Sequence, residues 1–247
     1  VNEWQTASTI FYLREHCPAI GTLFTTHATS IGRSIAGNGK PLYDYFRGYH
    51  GDQMAQELNM VSKHSAEKKA AQYCDCFTTV SDITALECEQ LLDRKVDIVT
   101  PNGFEPDFVP KGAAFTKQRN QARLALETVA STILNKTISK TDLFVCTAGR
   151  LEWKNKGIDA YLDSLHALDK QMEEKQCAKH ITAFVMIPYL DKNSYSLRHI
   201  DVVFIPYYLC GNDPLFKLTY YELLIGMDLT VYPSYYEPWV YTPLESI

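Results

Sequence analysis

The chain has 247 residues, of which 46% are hydrophobic and 21% are charged, as in a globular protein of one large domain or two small ones. The formal net charge of −5 argues against a broad nucleic-acid-binding face. No stretch approaches the ~20 consecutive apolar residues of a membrane helix. We therefore expect neither a nucleic-acid partner nor a membrane partner.

The seven cysteines are odd in number and irregularly spaced, and no signal peptide is visible. This pattern is typical of a reducing compartment and not of a disulfide framework, so we expect a cytoplasmic protein. The one close pair, Cys74 and Cys76, lacks a second pair at zinc-site spacing. We therefore expect no metal ion.

Short apolar runs alternate with helical stretches along the chain. The predicted strands lie at residues 21–26, 76–80, 97–100, 143–147, 181–187, 202–206 and 229–232. The predicted helices lie at residues 62–73, 82–92, 116–134, 158–174 and 218–225, and another begins near residue 242. Apolar strands that alternate with helices predict an α/β fold in which parallel sheets are covered on both faces.

The alternation pauses between residues 103 and 116, where prolines and glycines interrupt a stretch without periodicity. We place a domain boundary near residue 112. The predicted domains are then residues 1–112 and 113–247.

Polar residues that follow strands are candidate site residues, because open parallel sheets bind ligands beyond the carboxyl ends of their strands. His27 and Arg33 follow the first predicted strand; an imidazole can donate to a hydroxyl group, and a guanidinium can bind a phosphate. Arg150 and Lys156 share the loop after residues 143–147, where a bidentate cation and a point charge can converge on one anion. The alternatives are a histidine satisfied by the backbone and a solvated basic loop.

Carboxylates and aromatic side chains crowd the segment near the end of the chain. Glu237 lies on the loop after the last predicted strand, and Glu245 lies in the first turn of the last predicted helix, so both can face one crevice. Thr242 is placed to cap that helix, with Glu245 in the capping-box position. Glu245 as a capping residue alone is the alternative, but it explains less well why Trp239 and Tyr241 share the loop.

Tyr220 stands at the start of a predicted helix, where its ring could stack on a base or simply pack in the core. The sequence lacks three other motifs that would indicate nucleotide binding or a catalytic nucleophile. Gly39-Lys40 does not complete a P-loop, no G-x-G-x-x-G occurs, and no serine or cysteine stands in an elbow motif. The lack of G-x-G-x-x-G argues against a nicotinamide-dependent dehydrogenase.

Five motifs, spread in order over nearly the whole chain, resemble those of the glycogen synthases of the animal and fungal type. They are TTHAT-x-x-GR from Thr25, FTTVS-x-ITA-x-E from Phe77, DIVTPNG from Asp97, AGR-x-E-x-x-NKG from Ala148 and PSYYEPW-x-YTP-x-E from Pro233. The resemblance implies the GT-B architecture of two Rossmann-like domains. Residues 1–112 would be the C-terminal part of the acceptor-side domain, and 113–247 the first part of the nucleotide-sugar-binding domain.

The resemblance also implies a reaction: transfer of glucose from UDP-glucose to the 4-hydroxyl at the non-reducing end of an α-1,4-glucan such as glycogen, with retention at the anomeric carbon and without a cofactor. Arg150 and Lys156 would hold the donor diphosphate. Glu237 would lie beside the transferred glucose, and His27 would touch that glucose from the first domain. No second carboxylate is evident for the far face of the sugar, which favours a same-face mechanism, although a nucleophilic Glu237 would use the same residue.

The remaining implied roles concern donor binding. Arg33 would lie close to His27, Tyr220 would be the platform for the uracil, and Glu245 would hold the ribose hydroxyls. The other donor-binding residues come from the last motif: Trp239, Tyr241 and Thr242.

The sequence also departs from the family pattern. Val240 stands where the family has glycine, and Asn2 stands where it has histidine. The glycine-rich donor loop and the arginine-rich regulatory stretch of the family are not found in these residues. We therefore expect a chain cut at both ends from a longer enzyme, with little turnover by the 247 residues alone.

Three alternatives stay open. Another retaining glucosyltransferase, sucrose-synthase-like or trehalose-forming, would keep the donor site and change the acceptor. A glucan-binding subunit without activity would have no use for both cations and both carboxylates. ADP-glucose could replace UDP-glucose, and the oligomeric state, a homo-oligomer included, is left open by the sequence.

Overall fold

The computed structural model describes residues 1–239 and 241–246, in which the chain divides into two compact units. Unit 1 comprises Val1–Gly103 and residues 235–239, and unit 2 comprises Phe104–Ser234 and residues 241–246. The valine that replaces the family's glycine, Val240, lies outside the described residues.

The division falls after Gly103, whereas the sequence prediction put it near residue 112 and gave residues 235–239 to the second part. Two aromatic side chains illustrate this division. The Phe108 ring lies 5.0 Å from the Tyr221 ring, between centroids, which ties the stretch after Gly103 to unit 2. Tyr236 is buried in the core of unit 1, which ties residues 235–239 to that unit.

Unit 1 is built on a parallel sheet in which the described strands have the order β1–β2–β3. Their bounds are β1 Leu23–Thr26, β2 Cys76–Thr79 and β3 Ile98–Val99. The helices are α1 Ser8–His16, α2 Ser30–Gly37, α3 Gly51–Glu57, α4 Val61–Tyr73 and α5 Asp82–Leu92. The sequence predicted the strands, α4 and α5; it did not predict α1, α2 or α3, which are short or lack a clear apolar period.

Unit 1 has two core clusters: one lies where α1 and α4 cover the sheet, and the other, which contains Tyr236, lies among α2, α3 and α5. Phe24 of β1 and Phe77 of β2 are stacked, 5.9 Å apart between ring centroids. Ala70 of α4 and Ile10 of α1 are completely buried in the same cluster. Because β1 and β2 run parallel with Thr26 opposite Thr79, the loops that follow them begin at one edge of the sheet.

Unit 2 contains a larger sheet with the strand order β6–β7–β5–β4–β8 among its described residues. The strands are β4 Leu143–Ala148, β5 Ile181–Met186, β6 Tyr195–Ser196, β7 Ile200–Ile205 and β8 Leu229–Thr230. Pairing is parallel except between β6 and β7. The antiparallel β6 was not predicted, because two residues are too few to show a pattern.

Three helices cover the two faces of this sheet: α6 Gly112–Leu134, α7 Ile158–Glu174 and α8 Tyr220–Leu224. A short helix, α9 Thr242–Glu245, has no buried residue. Leu126 of α6 packs in one cluster with Phe144 and Cys146 of β4, and Tyr161 of α7 packs in another cluster with Val145. Alternate residues of one strand thus enter different cores, which explains why its sequence reads as a continuous apolar run.

The strand order creates a crevice at the carboxyl ends. The chain moves outward from β4 to β5 and β7 and then returns to β8 on the other side of β4. Such a reversal separates the loops that leave neighbouring strands, and ligands of open α/β sheets bind in the crevice between those loops. In the part of the chain that the structure describes, no helix is both long enough and apolar enough to cross a membrane.

Candidate functional site

A cavity of about 390 Å³ opens at the carboxyl ends of β4, β5 and β7 in unit 2. Four of the predicted site residues line it: Arg150, Lys156, Tyr220 and Thr242. The structure therefore brings together the two cations after β4, the tyrosine that starts α8 and the threonine that starts α9. Positive charge beside an aromatic ring in such a cavity suits an anionic ligand that carries a flat group.

The basic loop after β4 is organised around Glu152. Its carboxylate pairs with Arg150 at 2.8 Å and accepts a hydrogen bond from the buried Asn155 at 3.2 Å. Its carbonyl oxygen accepts from the Lys156 amide at 2.9 Å. The Glu152 carboxylate thus orients the Arg150 side chain, and its backbone helps to form the turn that carries Lys156, while most of the Arg150 side chain remains exposed to solvent.

Gly157 follows Lys156 and begins α7 with a backbone that only glycine adopts without strain. Its φ is 62°, and a Cβ atom there would lie 1.8 Å from the carbonyl oxygen of Pro233. The close approach of these two backbone segments fixes the loop that carries Lys156 against the loop that follows β8.

We expect Gly157→Ala to destabilise unit 2 by roughly 3 kcal/mol, because it combines a left-handed backbone with a clash against main-chain atoms. Thermal unfolding of the variant measures this. Gly112→Ala is the matched control: its φ is 58°, but nothing lies within 4 Å of its added Cβ. That variant should lose about 1 kcal/mol. Equal losses for the two variants would contradict the role given to the Pro233 contact.

Tyr220 lies half-buried between the cavity and the core. Its hydroxyl group shares a 3.0 Å hydrogen bond with that of Tyr232, and its ring packs against the core cluster of α6 and β4. Burial, followed by the nearby Tyr232, raises the pKa of the Tyr220 hydroxyl. The core therefore holds the phenol end, and the ring borders the cavity.

The prediction that Thr242 caps the last helix is wrong. The helix starts at Thr242, its N-cap residue is Tyr241, and no side-chain cap bond is formed. Pro243 in the first turn has its own φ fixed near the helical value and has no N–H to cap, so it favours the start of a helix there. Tyr241 is exposed.

Glu245 lines a different cavity of unit 2, of about 280 Å³, together with Phe108, Arg119 and Tyr221. The Tyr221 hydroxyl donates to its carboxylate at 2.8 Å, so this side chain faces α8 and does not close a capping box. It is not among the residues that line the cavity of Arg150 and Lys156.

The other predicted site residues belong to unit 1. His27 follows β1, and its backbone amide donates to the Glu3 carboxylate at 2.8 Å. Arg33 lies half-buried on α2, and its charge acts on the carboxyl group of Glu87 and on the hydroxyl of Tyr236. The β1–α2 loop thus presents the imidazole of His27, and the helix that follows presents the guanidinium of Arg33.

Glu237 is half-buried and lies between two anchored neighbours. Tyr236 donates to the buried Glu87, and the Pro238 carbonyl oxygen accepts a 2.7 Å hydrogen bond from Ser81. The ring of Tyr43 stacks near Tyr236 at 6.3 Å. Burial first, and then the charges of Glu87 and Glu237, raise the pKa of the Tyr43 hydroxyl. Trp239, next along the chain, is half-buried.

Two fully buried carboxyl groups lie beneath these loops. Glu67 on α4 accepts from the Thr26 hydroxyl at 2.6 Å and from the amide and hydroxyl of Ser30. Burial raises the pKa of Glu67 to about 7, although its hydrogen bonds act to lower that pKa. Burial likewise raises the pKa of Glu87 to about 8. Both groups therefore keep their protons in the folded chain at mildly acidic pH, where an ordinary glutamate is ionised.

We expect the stability of unit 1 to fall as pH rises from about 5 to about 8. Below the ordinary glutamate pKa of 4.5, both carboxyl groups are protonated in the folded chain and in the unfolded chain. Above it the unfolded chain releases protons that Glu67 and Glu87 retain, so stability is progressively lost until the folded pKa values are passed. Each unit of pKa shift corresponds to about 1.4 kcal/mol.

Thermal unfolding between pH 5 and pH 9 measures this effect, and Glu87→Gln should flatten the dependence. Glu89→Gln, on the exposed side of the same helix, is the control and should leave it unchanged. If the stability of Glu87→Gln changes with pH in the same way as that of the parent protein, the raised pKa of Glu87 is contradicted.

The sequence analysis did not single out several residues of these sites. Tyr207, Tyr208 and Cys210 line the cavity of unit 2, and the rule of strand carboxyl ends could have found them, since they follow β7 directly. Glu87 and Tyr236 lie within the motifs that begin at Phe77 and Pro233, but the sequence analysis predicted no role for either residue. Within residues 1–239 and 241–246, no three His, Cys, Asp or Glu side chains are grouped as metal ligands.

Comparison with solved structures relates this architecture to a known fold. The catalytic domain of Starch Synthase IV from Arabidopsis thaliana, solved with ADP and acarbose, matches with a TM-score of 0.52 and 15% identity over 99% of this chain and 53% of that one. At this identity the likeness concerns the fold alone. It confirms the predicted α/β fold with parallel sheets, of the GT-B glycosyltransferase type.

The family model for glycogen synthase matches residues 1–200 and 192–247, and the chain belongs to the glycogen synthase family. The predicted family is thereby confirmed. Similar proteins include the glycogen [starch] synthases of Dictyostelium discoideum, Caenorhabditis elegans and, in its liver form, Homo sapiens, which are 26%, 27% and 24% identical to this chain. Each match covers 99% of this chain, and the matches cover 39%, 51% and 48% of the respective relatives.

The chain spans about half, or less, of the length of these relatives. The alignments are 340 to 347 positions long against 247 residues here, so the relatives carry stretches without a counterpart in this chain. The two parts of the family match also overlap at residues 192–200, around the short strand β6.

Proposed function

We propose that the whole protein transfers glucose from UDP-glucose to the 4-hydroxyl at the non-reducing end of an α-1,4-glucan, with retention of configuration. The observation that carries this proposal is the cavity at the carboxyl ends of β4, β5 and β7, which Arg150 and Lys156 line together with Tyr220. Membership of the glycogen synthase family supports the same reaction.

Departure of the nucleoside diphosphate is the difficult step, because negative charge develops on the leaving phosphate. Arg150 and Lys156 would stabilise that charge, and loss of one such preorganised group typically costs ~3–4 kcal/mol in the barrier. The ring of Tyr220 would support the uracil. The family resemblance assigns the ribose hydroxyls to Glu245, whose carboxylate accepts from Tyr221 and lines the separate cavity of Phe108 and Arg119 in this structure.

Glu237 would orient the transferred glucose and stabilise positive charge at its anomeric carbon, with His27 contributing from the β1–α2 loop and Arg33 from α2. Trp239, Tyr241 and Thr242 would complete the donor-binding set. We favour a same-face mechanism, in which the leaving phosphate helps the acceptor hydroxyl to lose its proton. We propose that no metal or other cofactor takes part, so added chelator should leave the rate unchanged.

The test is incorporation of labelled glucose into glycogen by the whole protein. We expect UDP-glucose to serve as donor, and competition with ADP-glucose compares the two nucleotides directly. Incorporation into fructose or glucose 6-phosphate in place of glycogen would favour a sucrose-synthase-like or trehalose-forming enzyme. Binding of glycogen without any transfer would favour the glucan-binding role and contradict the proposal.

We also propose a cytoplasmic location, on the number and spacing of the cysteines. The partners expected there are the sugar nucleotide and the glucan. Size-exclusion chromatography of the whole protein would show whether it is a homo-oligomer.

A further inference from the structure

Helix α5 holds residues 235–239 at two points that flank Glu237. At its N-cap, the Ser81 hydroxyl donates to the Pro238 carbonyl oxygen at 2.7 Å. Two turns further along the helix, the Glu87 carboxyl group accepts from the Tyr236 hydroxyl at 2.9 and 3.1 Å. The residue before Glu237 and the residue after it are therefore both bonded to the same helix.

The same carboxyl group also reaches the β1–α2 loop. The Thr29 hydroxyl, two residues after His27, donates to Glu87 at 3.1 Å and accepts from the Gly32 amide at 3.0 Å as the N-cap of α2. One buried side chain is thus bonded to the segment that carries Glu237 and to the loop that carries His27.

The packing leaves little room for this arrangement to shift. A Cβ atom at Gly32 would lie 2.4 Å from a Glu87 oxygen and 2.5 Å from the Thr29 hydroxyl, so α2 lies directly against the carboxyl group. Tyr236 is 3% exposed and packs with Ile31 and Ile35 of α2. A carboxyl group is costly to bury in such a place, and an apolar side chain would fill it more cheaply.

We propose that Glu87 is a positioning residue for glucose transfer, which holds Glu237 and the His27 loop in their working geometry through Tyr236 and Thr29. This inference rests on the proposed function. Glu87 touches neither donor nor acceptor; it acts through the hydroxyl groups that it binds. Misplacement of a catalytic group by about 1 Å can cost roughly a hundredfold in rate.

The test uses the whole protein and the glucose-transfer assay. Tyr236→Phe removes one hydroxyl and keeps the buried ring, so it should lower kcat about tenfold, as expected for a lost hydrogen bond to a carboxyl group, with KM for UDP-glucose unchanged. Glu87→Ala should lower kcat about a hundredfold. Glu87→Gln, which keeps the size and one acceptor oxygen, should recover most of that loss.

Tyr161→Phe is the matched control. Tyr161 is also a buried tyrosine, on α7, and its hydroxyl has no hydrogen-bond partner among the described residues. Its removal should leave kcat unchanged. The double variant Glu87→Ala with Tyr236→Phe should be no slower than Glu87→Ala alone, because both changes break one linkage.

Two failures are distinguishable. If the parent protein transfers no glucose, the proposed function fails, and with it the reaction that Glu87 would serve. If the parent transfers glucose while Tyr236→Phe keeps full kcat, or lowers kcat no more than Tyr161→Phe does, Glu87 is a structural residue only and the inference is overturned. A correctly folded Glu87→Gln protein as slow as Glu87→Ala would also overturn the inference, because a side chain of the same size with an acceptor oxygen in the same place would have failed to restore the rate.

Discussion

Glu237→Gln in the whole protein is expected to lower kcat for glucose transfer by about a thousandfold or more, the upper range for loss of a preorganised charge. Glutamine keeps the shape of the side chain and removes the negative charge that would stabilise the developing sugar cation. Both neighbours of Glu237 stay anchored on α5 through Tyr236 and Ser81, so the loop should keep its conformation.

Steady-state kinetics with UDP-glucose and glycogen measure this effect, and calorimetric titration with UDP provides the control. UDP affinity should be unchanged, because the phosphates are assigned to Arg150 and Lys156. A variant with the activity of the parent protein would show that Glu237 is not part of the reaction and would favour a glucan-binding role.

Arg150→Ala and Lys156→Ala are each expected to lower kcat/KM for UDP-glucose by about 10² to 10³ and to weaken UDP binding. Arg150→Lys should recover little, since an ammonium group cannot form the bidentate contact of a guanidinium. Glu152 forms an ion pair with the Arg150 side chain, and its carbonyl oxygen accepts from the backbone amide of Lys156 in the same turn.

Lys154→Ala is the matched control for these variants. Lys154 lies in the same loop and forms an ion pair with Asp159 at the start of α7, but it does not line the cavity. Its replacement should change kcat/KM little. Equal losses for Lys154 and Lys156 would mean that the net charge of the loop matters and that no specific phosphate contact is made.

The secondary structure that the sequence predicted correctly consists of elements with a local signature. β4, β5 and β7 are apolar runs because both of their faces are buried, and α4 to α7 are long enough to show helical composition. α2 was missed although Thr29 caps it and Ile31 and Ile35 lie one turn apart, since eight residues give too few repeats. The two-residue strand β6 forms only because β7 is present to pair with it.

The sequence by itself determined the family, the alternation of strands and helices, and the two cations placed after β4, because each of these depends on residues close together in the chain. Only the tertiary structure decided that Glu245 faces Tyr221, that residues 235–239 group with unit 1, and that Glu87 binds Tyr236 from 149 positions away. These contacts form between segments that folding brings together, so no local spacing encodes them. The buried carboxyl group of Glu87 accepts from the hydroxyl groups of Thr29 and Tyr236, which come from distant parts of the chain.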